Sequence, residues 1–172
     1  MKVSVLAAVA MMALAGPMAV NAQPQLPPSR NALAPFVGTW TLEAADVVHP
    51  DGRREADYGP APKGLFMVDA QGRYSLQIFR SDRPHFASGD RAKGTPEEYA
   101  AAVLGTSTHI GTVSVDPATK TITFRTEAAS FPNQDGTVQK RSYELRDGVL
   151  SYKVAPRPNG DVPISIWRRA PQ

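Results

Sequence analysis

From Phe36 onward, apolar and polar residues alternate with a period close to two over most of the chain. In a strand that spacing puts alternate side chains on one face. Trp40, Leu42 and Ala44 share one face of a first strand. A long polar connection follows, with His49-Pro50-Asp51-Gly52 and Tyr58-Gly59-Pro60. Gly64–Asp69 forms a second strand, Ala70-Gln71-Gly72-Arg73 a tight turn, and Tyr74, Leu76 and Ile78 one face of a third strand. Strands resume at Thr108–Val115, Thr121–Glu127, Val138–Leu145, Leu150–Val154 and Pro163–Arg169. Asp116-Pro117, Ser130–Gly136, Arg146-Asp147-Gly148 and Pro156–Gly160 punctuate them, as turn chemistry requires.

One segment breaks the alternation. Thr95-Pro96-Glu97-Glu98 places a threonine at the N-cap, a proline at the first helical position and a glutamate at the third. The pattern predicts a helix to Leu104, stopped by Gly105 and held on the domain through Tyr99, Ala102 and Val103. The whole is an all-β reading: an eight-stranded antiparallel up-and-down barrel with one short helix, in one domain over residues 36–172. Closure removes the exposed edges that invite aggregation, and eight strands leave room for side chains or one small ligand.

The first 35 residues differ in kind. Lys2, the apolar run Val3–Ala15, the break at Gly16-Pro17 and the small residues of Val20-Asn21-Ala22 read as a secretory signal peptide over residues 1–22, cut before Gln23. Interrupted by Pro17, the apolar run is shorter than the ~20 residues a membrane span needs. Residues 23–35, with Pro24, Pro27 and Pro28, read as a flexible Pro-rich N-terminal arm. The mature protein is therefore expected to be exported, to the periplasm or the extracellular space, with no integral membrane span.

Composition narrows the chemistry. There is no cysteine, which excludes disulfides, thiolate nucleophiles and Cys-bound metal centres. The formal net charge is +3, and acidic residues are interleaved with basic ones, as in Asp51-Gly52-Arg53-Arg54-Glu55. No basic stripe for nucleic acid results. The three histidines have no metal-ligand spacing, and no Gly-x-Ser-x-Gly elbow or phosphate loop occurs. No metal and no cofactor are expected, and the sequence leaves the oligomeric state open.

Several ordered stretches carry a resemblance. Gly38-Thr39-Trp40 opens the first strand as lipocalins do, and Trp167-Arg168-Arg169 supplies an arginine to pack on that tryptophan, from either Arg168 or Arg169. Pro62-Lys63-Gly64-Leu65, Gly72–Ile78, Arg83–Asp90, Gly94–Tyr99, Ser130-Phe131-Pro132-Asn133 and Gln139-Lys140-Arg141 follow in order. Over nearly all of the mature chain the sequence resembles the bacterial lipocalin-like domain family. That resemblance implies a lipocalin-like barrel and no settled reaction.

Strand phase then nominates interior residues. Tyr74, Leu76 and Ile78 carry Arg80 inward, and Val113 and Val115 carry His109. Leu145 carries Tyr143, Arg141 and Gln139; Leu150 carries Tyr152; Ile164 and Ile166 carry Arg168. The candidate ligand-binding residues are Arg80, His109, Arg141, Tyr74, Tyr143 and Tyr152. An inward guanidinium needs a carboxylate, water or an anionic ligand, because an unpaired buried charge is costly. Partners such as Glu127, Glu144 or Asp90 would make the arginines structural. The charged segment Asp82–Lys93 reads either as a barrel mouth or as a solvated connection. Binding a small, largely hydrophobic or carboxylate-bearing molecule leads the functional expectations. The alternatives are a cofactor-free isomerase, cyclase or hydrolase, with His109 as base, and a filled barrel acting through its surface as an envelope interaction protein.

Overall fold

The computed structural model describes residues 30–171. The expected leader and most of the proline-rich arm, residues 1–29, lie outside the described residues. The arm's remainder is ordered: α1 (Arg30–Leu33) is one helical turn, and Ala34–Phe36 is a turn of 3-10 helix that buries Phe36. The folded chain thus starts ahead of Phe36.

Nine strands follow: β1 (Gly38–Val48), β2 (Arg54–Glu55), β3 (Lys63–Val68), β4 (Arg73–Phe79), β5 (Thr106–Asp116), β6 (Thr121–Ala129), β7 (Val138–Arg146), β8 (Val149–Lys153) and β9 (Val162–Arg169). β2 is a two-residue strand paired only to the end of β1. The other eight run antiparallel in sequence order, and β9 returns to β1, from Trp40 opposite Arg169 to Val48 opposite Val162. The result is a closed eight-stranded antiparallel barrel with one substantial helix, α2 (Pro96–Leu104).

The turn chemistry works as the sequence predicts at the tightest hairpin. Asp147 and Gly148 both take positive φ, 49° and 73°, between β7 and β8. That is the conformation whose twist matches paired strands, and aspartate-glycine adopts it at low cost. Gly111 of β5, opposite a bulge at Glu127 of β6, is glycine for another reason. A Cβ at Gly111 would lie 2.0 Å from the Arg125 carbonyl oxygen of β6.

Short hairpins gather at one end of the barrel, and the connections 49–62, 80–105, 130–137 and 154–161 gather at the other. The short-hairpin end is plugged. Trp40 is fully buried and donates Nε1–H to the Phe36 carbonyl at 2.9 Å. Arg169 stacks on the Trp40 ring at 4.2 Å and donates to the carbonyls of Val37 and Pro35. This settles which arginine packs on the tryptophan. Arg168, expected inward, is exposed and pairs with Glu43. The inner phase of β9 is Ser165 and Trp167, one residue off the expected Ile164–Ile166 phase, because Trp167 and Arg169 have claimed the plug. β1 shows a related slip: a bulge between Leu42 and Ala44 moves the inner set to Ala45 and Val47.

α2 begins as expected. Thr95 caps it, and Glu98 reaches back to the Thr95 amide at 2.8 Å, closing the capping box. Its attachment differs from expectation. No α2 residue is buried, and Tyr99 and Val103 are exposed. The helix is instead tied to its own approach loop. Glu98 accepts from the Ala87 amide at 2.7 Å, Tyr99 Oη donates to the Arg91 carbonyl at 2.9 Å, and Phe86 meets Tyr99 edge-on.

Candidate functional site

The plug does not fill the barrel. Toward the long-loop end the interior opens into a cavity of about 230 Å³. Its walls combine Leu76 and Ile78 of β4, His109 of β5, Gln139 and Arg141 of β7, Tyr152 of β8 and Ser165 of β9. Its mouth is edged by Asp57, Tyr58, Gln134 and Arg157 from the loops. The volume falls below the ~300–1,000 Å³ usual for drug-sized ligands. It suits one compact molecule.

Arg141 dominates the chemistry. It is only 7% exposed, because β7 alternation turns it inward between the wholly buried rings of Phe124 and Tyr152. Its guanidinium carbon lies 4.5 Å from the Phe124 ring centre and 4.9 Å from that of Tyr152. Stacking on two ring faces supplies cation–π attraction, which offsets part of the desolvation of a guanidinium. Nη2 donates to the Gln139 side-chain oxygen at 2.7 Å. Nε, and the neighbouring Tyr152 Oη, are buried without a hydrogen-bond partner among the described residues. No carboxylate there lies within ion-pair reach of Arg141: Glu127 pairs with Arg73, and Asp90 with Lys93. Buried polar groups left unpaired each cost on the order of 1–3 kcal/mol, so such a cluster is positioned to receive a ligand's acceptor oxygens.

His109 and Tyr74 form the second polar element. His109 Nδ1 and Tyr74 Oη are 2.8 Å apart, and Thr126 Oγ1 lies 3.4 Å from the same hydroxyl. Burial, with the Arg141 charge adding to it, lowers the His109 pKa to about 3. Burial raises the Tyr74 pKa, against opposing effects of Thr126 and Arg141. Burial likewise raises that of Tyr152, against the pull of Arg141. Near pH 7 the imidazole is therefore neutral and both phenols keep their protons. The interior offers hydrogen-bond donors and acceptors around one cation.

At the mouth the loops are bound by charge. Arg157 pairs with Asp57 across the rim. Arg80 Nη1 donates to the Asp57 carbonyl at 2.9 Å, while its Nε bonds Asp82 at 2.7 Å. His49 lies between Asp161, at 2.8 Å, and Glu55, at 3.2 Å, and those hydrogen bonds raise its pKa. The described residues hold no cluster of three or more His, Asp or Glu arranged to bind a metal. No helix among them is long and apolar enough to cross a membrane.

A profile described as a lipocalin-like domain matches residues 37–170. The chain belongs to the lipocalin-like domain family. No curated protein matches it. One solved structure with a similar course of chain is described as "REP1-NXSQ fatty acid transporter". It has 15% sequence identity and a TM-score of 0.37, with 81% of this chain and 98% of that one covered. At that distance the likeness carries nothing about this lipocalin-like domain's ligand.

Of the residues nominated from the sequence, Arg141, His109 and Tyr152 line one cavity, and Tyr74 stands behind His109 as its hydrogen-bond partner. Arg80 does not join them. β4 ends at Phe79, so the alternation that would have turned Arg80 inward stops one residue early, and Arg80 is an exposed tether of the mouth loops. Tyr143 faces inward but at the plugged end, where it meets Phe36 edge-on at 5.0 Å between ring centres. The Asp82–Lys93 segment does not line the cavity. Sequence reasoning missed Tyr58, Asp57 and Arg157, which lie in loops without periodicity. It also missed Ser165, which the shifted phase of β9 concealed.

Proposed function

We propose that this lipocalin-like barrel binds a small molecule with an apolar body and a carboxylate or comparable oxyanion, held by Arg141. The observation carrying this reading is a buried guanidinium that lines a cavity and has no carboxylate partner among the described residues. Arginine suits the task because its planar fork donates two parallel hydrogen bonds to a carboxylate. Leu76, Ile78 and the ring of Tyr152 supply apolar wall for the rest of the molecule. Acid–base catalysis is the weaker reading. A histidine with a pKa near 3 is a poor proton acceptor at neutral pH, where a general base works best with a pKa near the operating value.

Arg141→Met, of similar length and without charge, tests the assignment. Isothermal titration with octanoate should show affinity falling about 10- to 100-fold, the scale of a lost charge-assisted hydrogen bond. The melting temperature should hold or rise, because an unpaired buried charge costs stability. Unchanged octanoate affinity in a folded Arg141→Met protein removes Arg141 from the site.

We further propose that the barrel acts outside the cytoplasm, on the strength of the leader pattern in residues 1–22. N-terminal sequencing of protein recovered from the periplasm or medium should begin at Gln23. Recovery from the cytoplasm with Met1 or Lys2 at the terminus overturns this.

A further inference from the structure

The charged groups lining the cavity are two carboxylates and two guanidiniums, and their pairing decides which charge is left unspent. Asp46 is paired with Arg54 and Asp57 with Arg157. His109 is held neutral near pH 7 by burial. Arg141 is left as one cation without a carboxylate partner among the described residues. The side chain that positions it is Gln139, two residues earlier on the same face of β7. A guanidinium only donates hydrogen bonds, so the amide must offer Arg141 its oxygen and turn its NH2 away. It does so at 2.7 Å to Nη2, with the NH2 toward Thr137 Oγ1 at 3.5 Å, and the Thr137 hydroxyl donates to the Gln134 carbonyl at 2.7 Å. A glutamate here would have nearly the same shape and would form a buried ion pair, consuming the charge. Glutamine orients the guanidinium and leaves its charge unspent.

We propose that the cavity selects a singly charged acid, and that Gln139 sets this selection by positioning Arg141 without neutralising it. The inference rests on the binding reading above and deepens it. One ionised group at the Arg141 end balances the interior. A neutral analogue leaves the guanidinium uncompensated, and a cation is repelled. The walls add a size limit, so an unbranched acid of about eight carbons is a fitting probe for a cavity of about 230 Å³.

Octanoate, 1-octanol and octylammonium share one chain and differ in head charge. Isothermal titration of the folded protein with all three, for wild type, Gln139→Glu and Gln139→Met, decides the matter. Wild type should bind octanoate about 10- to 100-fold more tightly than octanol, and octylammonium least. Gln139→Glu should bring octanoate down to the level of octanol and leave octanol unchanged. Gln139→Met loses the positioning hydrogen bond but keeps the free cation, so its preference for octanoate over octanol should shrink several-fold without vanishing. A purely structural role for Gln139 would instead weaken all ligands in both variants. Equal wild-type affinity for octanoate and octanol overturns the charge selection while leaving cavity binding intact. Gln139→Glu that keeps the octanoate preference overturns the role of Gln139. Absence of binding to all three overturns the binding reading and this inference together. Should Gln139→Glu fail to fold by circular dichroism, the wild-type ratio and the Gln139→Met ratio still decide.

Discussion

His109 shows how one residue's environment shapes the behaviour of the whole fold. Its pKa is lowered from an ordinary 6.5 to about 3, chiefly by burial and secondarily by Arg141. The unfolded chain therefore takes up a proton near pH 6.5 that the folded protein refuses until near pH 3. Between those values the unfolded state binds more protons, so stability falls as pH falls. The contribution is fully present above about pH 6.5 and declines by about 1.4 kcal/mol per pH unit below it, toward a total on the order of 5 kcal/mol. Urea denaturation from pH 7.5 to pH 4 should show wild type losing stability more steeply than His109→Gln, whose side chain does not titrate. Parallel curves would mean that His109 is protonated in the folded state and that the interior is wetter than its burial implies. The same residue explains why part of the site was legible in the sequence. Val113 and Val115 fix the phase of β5, and that phase carries His109 inward at the fourth and sixth positions before them. Arg141 and Tyr152 follow from Leu145 and Leu150 in the same way, whereas the pairing of His109 with Tyr74 depends on the register of β4 against β5.

At the scale of elements, local chemistry was readable and long-range competition was not. The capping box of α2 and the Asp147-Gly148 turn are decided within four residues, and both stand where the sequence puts them. Phase errors arise where one strand meets two partners. β1 pairs β3 over Gly38–Thr41 and β9 along most of its length, and a bulge at Leu42/Ala44 reconciles them. Alternation extrapolated through that bulge puts Ala44 inside, where Ala45 stands instead. On β9 one candidate phase carries Val162, Ile164 and Ile166 and the other Pro163, Ser165 and Trp167, so pattern alone does not select the observed inner face. The stacking of Arg169 on Trp40 does, and that contact joins the last strand to the first. The attachment of α2 was misread for a different reason. Nine residues with three consecutive alanines suggest a helix that must be packed, but Phe86, Arg91 and the Ala87 amide supply local partners that make burial on the barrel unnecessary.

The described residues form a barrel filled at one end and open at the other, and an ion pair bridges the open end. Asp57 and Arg157 belong to different connections, β2–β3 and β8–β9, and both line the cavity. A molecule entering toward Arg141 by the long-loop end meets them. Their side chains are 22% and 42% exposed, so water screens the pair, and such pairs contribute about 0.2–1 kcal/mol. That is too little to hold the mouth shut, but it is enough to lower the open population by up to about fivefold. Removing both side chains as Asp57→Ala/Arg157→Ala keeps the net charge and leaves Arg141, Gln139 and the apolar walls in place. Stopped-flow measurement with octanoate should then show association and dissociation both faster, by up to about fivefold, with the ratio of the two rates, and hence Kd, changed by less than about threefold. Rates that stay at wild-type values would show that the mouth stands open without the pair being broken. A dissociation rate that rises alone would instead make Asp57 and Arg157 part of the bound state, touching the ligand itself.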